Sequence, residues 1–137
     1  MIDVSGWKAI GKSDNADFYE IEPGVLAVVP REGALDDEST ATQSVKVQLD
    51  YLRPTGTRAS VVVFMDPVLE QTASARKVYR DLPDPALING YALVGGSPFG
   101  RAVGSIFIGL SPPPVPTRLF GSYEDALGWA RSLKVSA

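Results

Sequence analysis

Seven residues in the middle of the chain, Ala59 to Met65 ("ASVVVFM"), run without a charge and include three consecutive valines. Successive side chains of a strand point to opposite faces, so an apolar run without alternation is the pattern of a strand covered on both sides. The segments around it supply that cover. "DDESTATQSVKVQLDYL" places Ala41, Val45, Leu49 and Leu52 at helical spacing, with Asp36, Asp37 and Glu38 at its start, where the helix dipole favours acids; it predicts a helix from about Asp36 to Leu52. Ala75, Val78, Tyr79 and Leu82 keep the same spacing until "PDP" stops them, and Leu87 to Val94 ("LINGYALV") reads as another strand, with Gly90 a mild weakness in it.

The flanks complete an alternating order. Asp17 to Glu22 and Val25 to Pro30 enclose Pro23-Gly24 and read as a hairpin. Ser97 is placed to cap a helix from Pro98 to about Leu110, Pro116 to Phe120 reads as a short strand, and Ser122 opens a final helix with Asp125 in the capping-box position. Between them "SPPPVP" is stiff connector. The order β-β-α-β-α-β-α-β-α, without a repeat or a dividing linker, predicts an α/β fold: a mixed sheet of about five strands backed by about four helices. The single domain spans 17–134; residues 1–16 form an arm or an added edge strand, and 135–137 a tail.

Composition narrows the chemistry. The 137 residues contain no Cys and no His, which excludes disulfides, thiol nucleophiles, His-based triads and the usual Cys/His zinc sites. An enzyme would have to rely on carboxylates, Lys, Tyr, Ser or Thr, and no catalytic constellation of these is visible, so the expectation is a non-enzyme without a cofactor. Thirteen Lys and Arg against sixteen Asp and Glu give a net charge of −3, the wrong balance for a nucleic-acid binder. The start, "MIDVSGWKAIGK", carries Asp3 and no apolar core of a signal peptide, so the expected location is cytoplasmic.

"YALVGGSPFGRAVGSIFIGL", Tyr91 to Leu110, is the stretch that most invites a functional reading. As a phosphate loop it is partial: Gly95, Gly100 and Arg101 stand where a P-loop has its outer glycines and its lysine, but Ala102 replaces the metal-binding hydroxyl. As a membrane span it is broken by "GGSPFG", and the nine residues beyond Arg101 cannot cross ~30 Å. Two readings stay open. Ser97 caps and Gly100 and Gly104 allow close packing, or the amides at Gly96 and Ser97, with Gly100 and Arg101, hold an anionic group at a helix N-terminus. Apolar residues nearly all round the helix, among them Val103, Phe107 and Leu110, need cover from the core or from a partner.

With "VVVFMD" leading into the second helix and "LVGGSPFGRAVGSIFIGL...PTRLFGSYEDALGWARSL" closing the chain, the sequence resembles small proteins of the SpoIIAA-like, STAS-type superfamily, over about Asp17 to Lys134. Its closing stretch looks most like an uncharacterised bacterial branch. The resemblance implies a sheet backed by helices and non-catalytic work: regulatory protein binding, or small-ligand binding as in the related Sec14-like domains. In regulatory members a phosphorylatable serine follows an aspartate at the start of the second helix; here Asp66 is followed by Pro67. Thr72 and Ser74 lie nearby, where capping or solvating the helix start competes with carrying a phosphate.

Three remaining features have bland readings beside functional ones. Asp36, Asp37 and Glu38 suit a hard cation, but acids in a first helical turn are the commoner arrangement, so no metal site is expected. Arg76, Lys77 and Arg80 form a small basic face. Trp7 sits in an arm with few other apolar residues and so packs either on its own domain or on a neighbour's. The leading expectation is a homodimeric domain that binds a protein partner through Val103, Phe107, Leu110 and Trp7. The alternative is a small acyl or anionic ligand held at Gly96, Ser97, Gly100 and Arg101.

Overall fold

The computed structural model describes residues 2–98, 100–102 and 115–135. Its main sheet has six strands in the order β1-β2-β3-β5-β7-β8: β1 (Lys8–Lys12), β2 (Ala16–Glu22), β3 (Val25–Pro30), β5 (Ala59–Phe64), β7 (Ile88–Val94) and β8 (Thr117–Phe120). The first three pair antiparallel and the last four parallel, so β3 carries one partner of each kind. Pro23-Gly24 makes the hairpin turn, with Gly24 at φ 84°, a conformation open to glycine at little cost. Residues 8–12 of the N-terminal lead-in form the edge strand β1, bulged near Gly11.

The apolar run 59–64 sits at the centre of this sheet and has no wet face. Val61 packs with Phe18, Leu26, Tyr91 and Leu93 toward α1 (Glu38–Leu52), whose Val45, Leu49 and Leu52 close that side. Val62 and Phe64 point the other way, to Val25, Ala27, Ala92 and Val94 under Ala126 and Ala130 of the last helix, α3 (Tyr123–Val135). Val61 and Val62 are both wholly buried, each contributing on the order of 1.5–3 kcal/mol relative to exposure. Gly90 serves a packing purpose: a Cβ there would lie 2.6 Å from Leu133 Cδ1 and 3.0 Å from the Pro116 carbonyl oxygen. Its missing side chain is what lets α3 lie down on β7.

Two short strands go beyond the expected order. β4 (Ala34–Asp36) and β6 (Val68–Gln71) pair parallel in a separate two-stranded sheet beside α1 and α2 (Ala73–Asp81). Consequently α1 begins at Glu38 rather than at Asp36: Asp36 ends β4, and Asp37 caps the helix, accepting from the Thr40 amide (2.9 Å) while the Thr40 hydroxyl accepts from the Asp37 amide (2.9 Å). That reciprocal pair is a capping box. Among the described residues no helix is long and apolar enough to cross a membrane.

Candidate functional site

The buried face of α1 is not wholly apolar. Thr40, Ser44 and Gln48, spaced by four, lie on it beside Ala41, Val45, Leu49 and Leu52, and are 8%, 3% and 2% exposed. Burying polar groups costs free energy unless each is bonded, and here each is. The Tyr91 hydroxyl, from β7, donates to Gln48 Oε1 at 2.9 Å, and Gln48 Nε2 donates to Ser44 Oγ at 3.3 Å. Ser44 donates to the Tyr79 oxygen, and the Tyr79 hydroxyl, from α2, donates to Asp36 Oδ2 at 2.7 Å. Four elements thus contribute to one directed line of hydrogen bonds, and every donor in it points toward Asp36.

Asp36 is only 6% exposed. Its carboxylate also accepts from the Thr40 hydroxyl at 2.7 Å, from Gln71 Nε2 at 3.2 Å and, more distantly, from Asn15 Nδ2 at 3.4 Å. All of these donors are neutral, and among the described residues Asp36 forms no ion pair. Each bond in such a line polarises the next, so the groups from Tyr91 to Asp36 act as one connected network. Burial, and then the neighbouring Asp36, push Tyr79 well above the usual phenol range, and burial pushes Tyr91 up.

This line forms one wall of a cavity of about 50 Å³, room for ~4 water-sized groups. Asn15, Asp36, Ser44, Gln48, Gln71, Tyr79 and Tyr91 make the polar wall; Ala16, Val28, Pro30, Val63, Met65, Val68 and Leu93 make the apolar one. The cavity lies toward the carboxyl ends of β3, β5 and β7, where open α/β sheets generally place their ligands. Gln71 Oε1 is buried there without a hydrogen-bond partner among the described residues.

The glycine-rich turn holds a different arrangement. The Gly96 and Ser97 amides donate to the two oxygens of Asp66 (3.1 and 3.0 Å), and the Ser97 hydroxyl donates to Asp66 Oδ1 at 2.8 Å. Ser97 in turn accepts from the Gly100 amide at 3.0 Å and caps the helical residues at 98 and 100–102. Arg101 is exposed, and its amide donates to the Ser97 carbonyl at 3.0 Å. Gly96, Ser97 and Gly100 are therefore gathered around the chain's own carboxylate, and an outside anion would have to compete with Asp66. A Cβ at Gly100 would run into that carboxylate.

The other sequence candidates are dispersed. Thr72 caps α2 by accepting from the Ala75 amide at 3.1 Å, and its hydroxyl lies 3.0 Å from that of Ser74. Trp7 packs on its own domain, with Tyr19, Phe64 and Tyr123 at ring-centroid distances of 5.9, 6.2 and 5.8 Å. Val103, Phe107 and Leu110 lie outside the described residues. The acidic trio is divided between strand, cap and helix, and no group of three such ligands is gathered among the described residues. Sequence reasoning missed the polar line, although Thr40, Ser44 and Gln48 at spacing four on the apolar side of α1 were a legible sign of it.

No curated protein matches the chain. Among solved structures it is similar to an uncharacterized protein from the DUF3478 family with a SpoIIAA-like fold, from Shewanella loihica PV-4. The two are 12% identical, with a TM-score of 0.51 over 95% of this chain and 99% of that one, a likeness that speaks for the fold. With the mixed sheet covered on both faces by helices, and with residues 19–134 matching its family, the chain has a SpoIIAA-like fold and belongs to the family described as Domain of unknown function (DUF7793).

Proposed function

We propose that this chain is a non-enzymatic domain that binds a small molecule in the cavity between the sheet and the α1 and α2 helices. The observation that carries the reading is the polar wall: a line of hydrogen bonds from Tyr91 to Asp36 along a cavity whose remaining lining is apolar. A core built for stability alone gains nothing by burying an unpaired carboxylate, whereas small-molecule sites combine mostly apolar walls with a few fixed polar groups. The site replaces the glycine-rich turn as the first place to look, because the amides of that turn are taken by Asp66.

Native mass spectrometry of protein purified gently from its own cells tests this. The expected result is a discrete non-covalent mass that the wild-type chain retains and that Val68→Phe, which fills the cavity, loses. A ligand-free chain, with a Tm unmoved by a broad metabolite collection, would overturn the reading.

A second reading, association with another protein chain, is favoured by Leu35 and Leu69, which are 57% and 56% exposed on the adjacent strands β4 and β6. In it the small sheet is a contact surface and the domain self-associates.

A further inference from the structure

We infer that the ligand of this cavity ends in a protonated amine carried on a short apolar chain, an inference that rests on the cavity being a binding site. The polar wall has an unfilled valence. Each donor atom of the line from Tyr91 bonds the next acceptor, and the buried side-chain atom of the polar wall left without any partner among the described residues is an acceptor. Gln71 sharpens this. Its amide must turn Nε2 toward the Asp36 carboxylate, since the reverse orientation would set two oxygens against each other, and Oε1 is thereby left buried and without a donor.

Charge points the same way. Among the described residues no Lys or Arg lines the cavity, and Arg76, on α2, donates to the Gln71 main-chain carbonyl at 2.9 Å rather than to Asp36. Asp36 is therefore solvated by neutral dipoles alone, and a cation near it meets a field with no competing base. An anion would meet the same field with the wrong sign. Val28, Val63, Met65 and Leu93 add apolar contact to the same lining, and the volume limits the chain to a few carbons.

The test compares n-propylammonium, n-propanol and propionate at neutral pH, by thermal shift and by saturation-transfer NMR, on the full chain. The expected order is ammonium tightest, propanol weaker and propionate without effect, with Asp36→Asn weakening the ammonium by roughly tenfold or more. Propanol binding as tightly as the ammonium, or propionate binding best, would overturn the amine while leaving the cavity a binding site. Failure of all three probes, together with a ligand-free native mass spectrum, would overturn both. If Asp36→Asn does not fold, Gln71→Leu decides: a fall in ammonium affinity with propanol unchanged supports the inference, and unchanged ammonium affinity sinks it.

Discussion

Asp36 and the two tyrosines that serve it show how single residues acquire a role that their type does not announce. In the sequence Asp36 is the first of three acids before a helix, and Tyr79 and Tyr91 are apolar positions with a polar tip; packing makes Tyr91 the start of a hydrogen-bonded line and Tyr79 its last donor, onto the Asp36 carboxylate. The phenols carry a measurable consequence. Both are raised above the usual phenol value, so the folded chain holds these protons more tightly than the unfolded one. Their contribution to stability is therefore complete below about pH 10, the unfolded value, and is lost as the pH rises through the raised ones. Urea midpoints should stay level up to about pH 10 and fall beyond it, and ultraviolet titration should show Tyr79 and Tyr91 ionising last, with unfolding. Tyr91→Phe should soften the alkaline fall while costing about 1–2 kcal/mol at neutral pH, because Gln48 Oε1 is left without its donor. A midpoint that falls equally steeply in wild type and variant would remove Tyr91 from the account.

Among the elements, the long ones and the short strand β8 were legible in the sequence, whereas β4 and β6 follow from contact. The helices α1, α2 and α3 and the strands β2, β3, β5 and β7 stand within a few residues of where spacing and turn residues predict them, because each is long enough for a face to declare itself. β4 and β6 are three and four residues long and exist because they pair with each other, a contact across more than thirty positions that no local window contains. Gly90 is another case. Within β7 it reads as a local weakness, yet the fold needs its bare Cα under Leu133 and Trp129 of α3. Gly90→Val should lift α3 off the sheet and destabilise the chain by about 1–3 kcal/mol, since the Pro116 carbonyl oxygen at 3.0 Å belongs to backbone and yields little. Thermal melts should record a drop in Tm of about 4 °C for each kcal/mol lost, and a Tm within a degree of wild type would contradict the packing account.

At the level of the whole molecule, the sheet separates two cores, and the division of labour follows it. The α3 side, with Trp7, Phe64 and Tyr123 stacked together, is packing; the α1 and α2 side carries the cavity and the polar line. The small β4-β6 sheet borders the second side and exposes Leu35 and Leu69, the surface that favours self-association. Sedimentation velocity should then give a mass that rises with concentration for the wild-type chain and a monomer for Leu35→Ser with Leu69→Ser; a wild-type monomer at every concentration would end that reading. The fold class was legible beforehand, because "ASVVVFM" between helical-period segments demands a strand covered on both faces, and that requirement is local. The absence of His and Cys closed whole classes of chemistry in the same way, since a missing residue type is missing in any fold. The site was not legible, because it depends on which distant groups meet. Asp36, Ser44, Tyr79 and Tyr91 come from a strand end, two helices and a central strand, and Asp66 reaches the Gly96 and Ser97 amides across thirty residues. Hydrogen bonds need their partners within about 3 Å, and only the packing of helices against the sheet brings these together.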